Sequence, residues 1–312
     1  MTELSPVRSR HTAWDRLRRD RSLILMTLPT LLLLATFAYF PLLGNVIAWK
    51  DYTPWTGVVD SPWVGWANFT DVVTSDGFLL AVRNTLVINA FQLVFFFPVP
   101  ILLALLLNSL VSARLRAVIQ SVIYLPHFFS WVIVISIFQQ MVGGSGLLSK
   151  ALQAAGLGGV DLMTNPDTFL VLLTTQSVWK DAGWGIVIFL AALSTVDQEQ
   201  YEAAAIDGAN RWRRTWHITL PALRPVIVLL LILRLGDALN VGFEQLILQR
   251  NAVGVGASEV LDTFVYYQGV IAGVWGFATA AGLMKGVVSL LLVLAANKLA
   301  HVFGESGVYQ RS

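Results

Sequence analysis

The chain has 312 residues, of which 56% are hydrophobic and 13% are charged. Soluble domains carry about 25% charged residues, so this composition excludes an ordinary soluble protein and indicates a chain that crosses a membrane several times. The chain contains no cysteine, which excludes disulfides, metal thiolates and thiol catalysis, and its net charge of +2 says little by itself.

Six windows of the sequence are apolar over enough residues to cross a bilayer, which takes roughly 20 residues of helix. They cover residues 22–49, 84–108, 118–142, 168–194, 222–248 and 277–300. The sequence therefore predicts an all-α membrane domain over residues 22–300, with tails at 1–21 and 301–312. The first window follows an Arg-rich flank, as in a signal peptide, but it is too long for one and has no convincing cleavage site. We predict a retained first span.

Cationic residues are concentrated on one side of the predicted membrane. The tails and the loops on their side carry Arg8, Arg10, Arg16, Arg18, Arg19, Arg21, Arg114, Arg116, Arg211, Arg213, Arg214, Arg224, Lys298 and Arg311. The opposite side carries only Lys50, Arg83, Lys150 and Arg250. By the positive-inside rule, both termini and the loop between the fourth and fifth spans face the cytoplasm.

The loop between the fourth and fifth spans, residues 197–221, contains a polar helical hairpin, YEAAAIDGANRWRRTWHITLP. Asp197 is placed to cap a first helix, Gly208 to end it with a positive φ, and Asn210 to cap a second short helix. From the residues alone, two interpretations stay open. The hairpin is either a docking element for a soluble partner or an interfacial helix that lies on anionic lipid.

The segment EAAAIDGA, followed by ITLP, resembles the EAA loop of permease subunits in bacterial ABC importers. The residues in register with that motif are Glu202, Ala203, Ala204, Asp207, Gly208, Ala209, Ile218, Thr219, Leu220 and Pro221. In that family the loop forms a coupling helix that docks in a cleft of the ATPase subunit. The resemblance implies the same role for these residues here.

The resemblance extends over most of the chain and narrows to carbohydrate-importer permeases of the LplB type. The segments that carry it are VGWANF (64–69), NTLVIN (84–89), ARLRAVIQSVIYLPHFFSWVIV (113–134), GFEQ (242–245), LDTFVYYQG (261–269) and ATAAGLMKGVVSLLLVLAAN (278–297). It implies a type I ABC importer fold in a bacterial cytoplasmic membrane, with a sugar or oligosaccharide as cargo. The implied partners are a second permease subunit in a heterodimer, two ATP-binding cassette subunits and an extracytoplasmic sugar-binding protein. The lipid bilayer surrounds them, and no nucleic acid is expected.

The sequence contains no G-x-x-x-x-G-K-[ST] loop, so nothing in it is predicted to hold the phosphates of a nucleotide. We therefore expect no cofactor and no enzymatic activity on this chain, with ATP and Mg²⁺ on the partner ATPase subunits. The histidines, at His11, His127, His217 and His301, show no ligand spacing, and no metal site is predicted. His127, which follows a proline, is interpreted as a polar group at a kink.

Polar residues inside the predicted spans are candidates for a substrate path, since charges at bilayer depth usually face a cavity or a partner. In the fifth span, one predicted helix face about 140° wide carries Arg234, Asp237, Asn240, Glu244 and Gln245. The other candidates are Trp179, Lys180, Asp181 and Trp184 in the fourth span, Lys285 in the sixth, and Asn89, Gln92, Gln120 and Tyr124 along the same path. The alternative is that the charges of Arg234 and Asp237, and those of Lys180 and Asp181, only neutralise one another within the bundle or across the interface to a second permease.

Three other functions stay open on the sequence. The first is an ABC permease for a different small solute. The second is a secondary transporter, which couples ions through membrane carboxylates such as Asp237 or Glu244 and needs no partner. A membrane-embedded enzyme is the third, although no convergent catalytic group of residues is recognisable. The hairpin cannot decide the cargo, because it reports coupling and not substrate.

Overall fold

The computed structural model of the protein describes residues 20–110 and 112–302. Nearly all of these residues are helical, and they contain no β-strand beyond one isolated bridge between Lys50 and Trp63. The all-α prediction is therefore confirmed. The predicted tails lie almost wholly outside the described residues, as do Arg8 to Arg19, His11 and Arg311.

Sixteen α-helices follow one another along the described chain, several of them joined by short π- or 3₁₀-helical turns. In the first half they are α1 (Arg21–Leu34), α2 (Gly57–Asp60), α3 (Ala67–Thr74), α4 (Asp76–Phe95), α5 (Pro98–Asn108), α6 (Ala113–Tyr124), α7 (Trp131–Val142) and α8 (Leu147–Ala154). In the second half they are α9 (Phe169–Leu193), α10 (Gln198–Ile206), α11 (Arg211–Arg214), α12 (Leu220–Gly236), α13 (Phe243–Val253), α14 (Val255–Ser258), α15 (Leu261–Tyr266) and α16 (Trp275–Val302).

Five helical stretches are long and apolar enough to cross a membrane: Arg21–Trp49, Asp76–Asn108, Trp131–Ala154, Arg211–Gly236 and Trp275–Leu299. A sixth candidate span is the pair of α9 and α10, which passes the same test together across a bend of 74°. The described residues thus hold five or six candidate spans, in agreement with the six predicted windows.

Two of the predicted spans differ from the structure in their extent. The third window, 118–142, is not one helix, because a 3₁₀ turn at Leu125–Phe128 separates α6 from α7. Pro126 lies in that turn, and proline lacks the amide hydrogen that a continuous helix needs. The fifth window, 222–248, ends as a helix at Gly236, and α13 begins only at Phe243. The prediction of one continuous helix in these windows is wrong.

Serine side chains begin three of the membrane helices. The hydroxyls of Ser75, Ser112 and Ser130 accept hydrogen bonds from backbone amides at the starts of α4, α6 and α7. Such caps satisfy amides that have no partner within the helix. The starts of these helices are therefore set by local sequence.

Helix α9 is the centre of one half of the bundle and packs against α5, α6 and α12. Its buried side chains include Ile186, Phe189 and Leu193, which form one apolar cluster with Ala104 and Leu223 of its neighbours. Helix α16 is the centre of the other half and packs against α12, α15 and the end of the first span. The first span, Arg21–Trp49, contributes no buried residue in its most apolar part.

Candidate functional site

Three short breaks separate consecutive helices of the bundle. The breaks lie at Phe96–Phe97 between α4 and α5, at 125–130 between α6 and α7, and at 237–242 between α12 and α13. Irregular backbone at membrane depth is tolerated only where protein or a water-filled cavity satisfies its polar groups. The side chains around these breaks therefore define the candidate site.

Lys180 lies near the middle of α9 and donates hydrogen bonds to backbone carbonyl oxygens at the break between α6 and α7. Its side chain is buried, and Nζ donates hydrogen bonds to the carbonyl oxygens of His127 at 2.7 Å and Phe129 at 2.8 Å. The ammonium also lies 5.6 Å from the centre of the Trp131 ring and 3.9 Å from Oδ1 of Asp181. Lys180 thus has its closest contacts with backbone oxygens that the broken helix leaves without partners.

A contact between His127 and Asp181 also joins the break between α6 and α7 to α9. Nδ1 of His127 lies 2.9 Å from Oδ1 of Asp181, and both side chains are about one third exposed. Trp184 stacks on the His127 ring at 4.8 Å with an angle of 7° between the planes, and it is 54% exposed. These three residues form a polar and aromatic surface that is open on one side. The interpretation of His127 as a polar group at a kink is confirmed.

Trp179 has different surroundings from Trp184. Its ring lies 6.4 Å from the ring of Phe129 and 5.9 Å from the ring of Phe138, with 38% of the residue exposed. It is mainly a packing residue for the two sides of the third-span break. Of the two tryptophans predicted for the path, Trp184 presents the larger free surface.

Arg234 reaches the break between α4 and α5. Its Nη2 donates a 2.6 Å hydrogen bond to Oε1 of Gln92, and the guanidinium lies 5.7 Å from the centre of the Phe96 ring. Among the described residues no carboxylate pairs directly with Arg234, although Asp181 and Asp237 lie near enough to interact with it electrostatically. Its buried Nε has no hydrogen-bond partner. The alternative of a direct Arg234–Asp237 ion pair is therefore not formed.

The predicted polar stripe of the fifth span does not lie on one helix. Asp237 and Asn240 belong to the break, and Nδ2 of Asn240 donates to Oδ1 of Asp237 at 3.0 Å. The ammonium of Lys285 in α16 donates hydrogen bonds to Oδ1 of Asn240 and to Oδ1 of Asp262. Lys285 and Asp262 also form an ion pair. The stripe prediction is wrong because the helix ends before it reaches these residues. The structure instead ties the break to α15 and α16.

Gln245, predicted for the path, lies within the protein. It is 1% exposed, and Nε2 donates to Oε1 of Gln176 at 2.8 Å and to the Leu173 carbonyl at 3.0 Å, while Oε1 accepts from Ser177. Gln249 completes the cluster by bonding Gln176 in both directions. In this structure Gln245 has no surface to offer a substrate. Its neighbour Glu244 is exposed.

Gln176 and Gln249 are not among the residues predicted from the sequence. The spacing of Gln245 and Gln249, four residues apart, places both amides on one helix face and was the available signal. Two of the lesser candidates, Asn89 and Gln92, are buried. Within residues 20–110 and 112–302, no three His, Asp or Glu side chains are grouped so that they could hold a metal ion.

The hairpin at one end of the bundle has the local structure that its residues predict. Oδ1 of Asp197 accepts from the amide of Glu199 at 2.9 Å, and Oδ1 of Asn210 accepts from the amide of Arg213 at 2.9 Å. Gly208 has a φ of +77° and no atom within 4 Å of an added Cβ. The caps and the turn are thus confirmed.

The residues predicted for coupling are distributed over this hairpin. Glu202, Ala203, Asp207 and Gly208 are exposed at its tip, and Ala204 and Ala209 are half-buried. Ile218 lies just before α12, and Leu220 and Pro221 are its first two residues. The hydroxyl of Tyr201 lies 3.0 Å from Oγ1 of Thr219, which joins the two arms. The tip of the hairpin is therefore exposed, while its two arms are joined at the base by the contact between Tyr201 and Thr219.

Comparison with known proteins identifies relatives over nearly the whole chain. Residues 97–303 match the family described as binding-protein-dependent transport system inner membrane component. Protein LplB of Bacillus subtilis (strain 168) is 44% identical over 294 residues, which cover 94% of this chain and 92% of that protein. The polygalacturonan/rhamnogalacturonan transport system permease protein YteP of the same organism is 44% identical over 295 residues, with the same coverage of both chains.

Solved structures show the same fold. One chain of a bacterial alginate ABC transporter, in complex with an alginate pentasaccharide-bound periplasmic protein, superposes with a TM-score of 0.88 at 35% identity. The match covers 96% of this chain and 100% of that one. With this fold and a family match over two thirds of its length, the chain belongs to the binding-protein-dependent transport system inner membrane components.

Proposed function

We propose that the chain is the permease subunit of an ATP-driven importer and forms half of a membrane path for a carbohydrate, specifically an oligosaccharide. The observation that carries the proposal is the polar and aromatic surface that His127, Asp181 and Trp184 form where the break between α6 and α7 meets α9. The printed names of the relatives support the cargo class, since YteP is named for polygalacturonan and rhamnogalacturonan and the structural neighbour for alginate.

The surface formed by His127, Asp181 and Trp184 suits a sugar. A pyranose ring has an apolar face that stacks on an exposed aromatic ring, and a rim of hydroxyls that bond to charged and amide groups. Trp184 supplies the ring, and Asp181 lies one turn away on the same helix. Arg234, which lies near enough to Asp181 and Asp237 to interact with both electrostatically, extends this polar surface toward the fifth span. Lys180 acts indirectly, by holding the third-span break in place.

The hairpin supports the proposed coupling to a separate ATPase. Residues 202–209 form an exposed tip whose base is braced by the Tyr201–Thr219 contact. Closure of an ATPase dimer would move such a tip as a rigid lever and favour one of two bundle arrangements. ATP and Mg²⁺ would be bound by the ATPase subunits and not by this chain.

The remaining partners follow from the same proposal. The first span exposes its apolar residues on all sides in its most hydrophobic part, so it has surface available to a second permease subunit as well as to lipid. We propose a heterodimer of permeases, two ATP-binding cassette subunits and an extracytoplasmic sugar-binding protein. Both termini and the hairpin would then face the cytoplasm.

The test is to reconstitute the complete transporter in proteoliposomes and measure ATP hydrolysis with candidate oligosaccharides presented on the binding protein. Stimulation by one class of sugar identifies the cargo. Transport that persists without ATPase subunits would favour an ion-coupled carrier and refute the proposal. Stimulation by a different small solute would keep the coupling and overturn the cargo class.

Coupling is tested separately with two glycines of the same conformation. Gly208 and Gly156 both have positive φ, +77° and +74°, and neither has an atom within 4 Å of an added Cβ. Gly208→Asp at the hairpin tip should abolish substrate-stimulated ATP hydrolysis, whereas Gly156→Asp at the other end should retain it. Aspartate tolerates this backbone region better than most residues, so both variants should fold. Normal coupling in Gly208→Asp would sink the docking role.

A further inference from the structure

A polar cavity of about 450 Å³ lies between the hairpin and the ends of the membrane helices. It is lined by the end of α5, by Arg116 of α6, by the end of α9 and by both arms of the hairpin. Three of its lining residues are arginines, Arg116, Arg211 and Arg214, and none is an aspartate or glutamate. The cavity therefore concentrates positive charge without an internal counterion among its lining residues.

Two of these arginines have unused hydrogen-bond donors. Nε of Arg116 and Nε of Arg214 are both buried and have no hydrogen-bond partner. Only four buried side-chain atoms in the described chain lack a partner, and these are two of them. Buried donors of charged groups are costly to leave unpaired, and the protein around these two arginines does not satisfy all of their donors.

The other polar groups of the cavity hold its walls in place. Nη2 of Arg116 donates to the carbonyl oxygens of Leu110 at 2.8 Å and Asn108 at 3.3 Å, which fixes that side chain against the end of α5. The contact between Tyr201 and Thr219 closes the hairpin side. The guanidinium of Arg116 is thus positioned before any ligand binds.

We propose that this cavity binds a phosphate-bearing anion, and that the ligand is the head group of an anionic phospholipid. Guanidinium groups match the geometry of phosphate oxygens and bind them in pairs of hydrogen bonds. Basic pockets between membrane helices are a known setting for lipid head groups. Phosphate oxygens in the cavity would accept from the guanidinium groups of Arg116, Arg211 and Arg214, which line it.

The surroundings favour a lipid over a free ion. The cavity lies where α5 and α9 end, at the level at which spans leave the membrane. Trp212 and Trp216 stack on each other at 6.2 Å beside it and are 72% and 59% exposed. Exposed tryptophans of this kind concentrate at the head-group level of a bilayer. A bound lipid would brace the hairpin against the helix ends.

The experiment uses the full-length chain, purified in a neutral detergent and stripped of lipid. Binding of phosphatidylglycerol, phosphatidylcholine and inorganic phosphate is measured by native mass spectrometry and by the shift in thermal unfolding. The test variant is Arg116→Gln/Arg214→Gln. Its matched control is Arg114→Gln/Arg213→Gln, which removes the same charge from the same two helices at exposed positions outside the cavity.

The wild-type chain and the control should bind phosphatidylglycerol in preference to phosphatidylcholine. The test variant should bind it on the order of tenfold more weakly, as expected for the loss of charge-assisted bonds. Because Arg116 also supports the end of α5, Arg211→Gln/Arg214→Gln serves as a second test variant that leaves that support intact. This second variant should also bind phosphatidylglycerol more weakly than the wild-type chain does.

Three results would overturn the assignment. Equal lipid preference in the test and control variants would show that the cavity is not a binding site. Displacement of phosphatidylglycerol by millimolar inorganic phosphate would identify a free anion as the ligand. Loss of lipid binding when the ATPase subunits are assembled with the chain would show that the arginines face an acidic protein segment.

Discussion

The backbone of α9 at Gly183 lies directly against the carbonyl oxygen of Ile123 in α6: a Cβ added to Gly183 would lie 2.2 Å from that oxygen. Two residues further on, a Cβ at Gly185 would lie 2.9 Å from the ring of Pro100 in α5. Small residues allow membrane helices to approach this closely. The same approach brings Lys180 and Asp181 within reach of the third-span break, so the packing and the candidate site depend on each other.

Gly183→Ala should therefore destabilise the bundle by about 1–3 kcal/mol, since the backbone of α6 must move to make room for the methyl group. The measurement is the thermal unfolding midpoint in detergent. Gly282→Ala in α16 is the control, because no atom lies within 4 Å of an added Cβ there. Equal midpoints for the two variants would contradict the close approach.

The buried cluster of Gln176, Gln245 and Gln249 predicts that substitutions of Gln245 and of its exposed neighbour Glu244 have different effects. Gln245→Leu removes the hydrogen bonds of Gln245 with Gln176, Ser177 and the Leu173 carbonyl and should cost about 1–3 kcal/mol of stability. Glu244→Ala removes an exposed carboxylate, so it should leave folding unchanged and weaken uptake. Unfolding curves and uptake by reconstituted transporter separate the two effects. A stable, transport-deficient Gln245→Leu would return that residue to the substrate path.

Gln92 and Arg234 should be energetically coupled. Gln92→Leu leaves a partly buried guanidinium without its 2.6 Å acceptor and should destabilise the bundle by about 1–3 kcal/mol. The double variant Gln92→Leu/Arg234→Leu should lose less than the sum of the single losses, because it removes both members of the pair. A full double-mutant cycle of unfolding midpoints provides the measurement. Strict additivity would show that the hydrogen bond contributes nothing.

Trp184 is predicted to act through its exposed ring. Trp184→Ala should raise the oligosaccharide concentration for half-maximal uptake roughly three- to tenfold, which corresponds to an aromatic contact of about 1 kcal/mol. Trp184→Phe keeps an aromatic face and should retain most of the uptake. Assembly with the partner subunits is the control for folding. If Trp184→Ala transports like the wild type, the residue only packs against His127.

Local signals in the sequence predicted much of the fold. The windows of apolar residues located the spans, because roughly 20 such residues are needed to cross a bilayer. Asp197, Gly208 and Asn210 located the hairpin, because caps and positive-φ turns depend on residues a few positions apart. Pro126 and His127 indicated a kink, but the full separation of α6 from α7 and the breaks at 96–97 and 237–242 were missed, because hydrophobicity continues across each break while the helical hydrogen bonds do not.

The candidate site was predicted only in part for the same reason. Composition identified Lys180 and Gln245 as polar residues in apolar surroundings, but their partners, His127 and Gln176, are more than 50 residues away along the chain. A periodic pattern cannot show which of two buried polar groups meets a backbone carbonyl and which faces an open surface. That distinction separates Lys180 from Asp181, which are adjacent in sequence.

The sequence by itself determined that this is an all-α membrane chain with a polar hairpin between its fourth and fifth spans, because hydrophobic length and capping are local properties. Only the tertiary structure decided that Lys180 of α9 meets the break between α6 and α7, that Arg234 bonds Gln92 in place of Asp237, and that Arg116 and Arg214 share one cavity. Those outcomes depend on how closely the helices approach. Contacts such as that of Gly183 with Ile123 set that distance, and they join residues that the sequence keeps far apart.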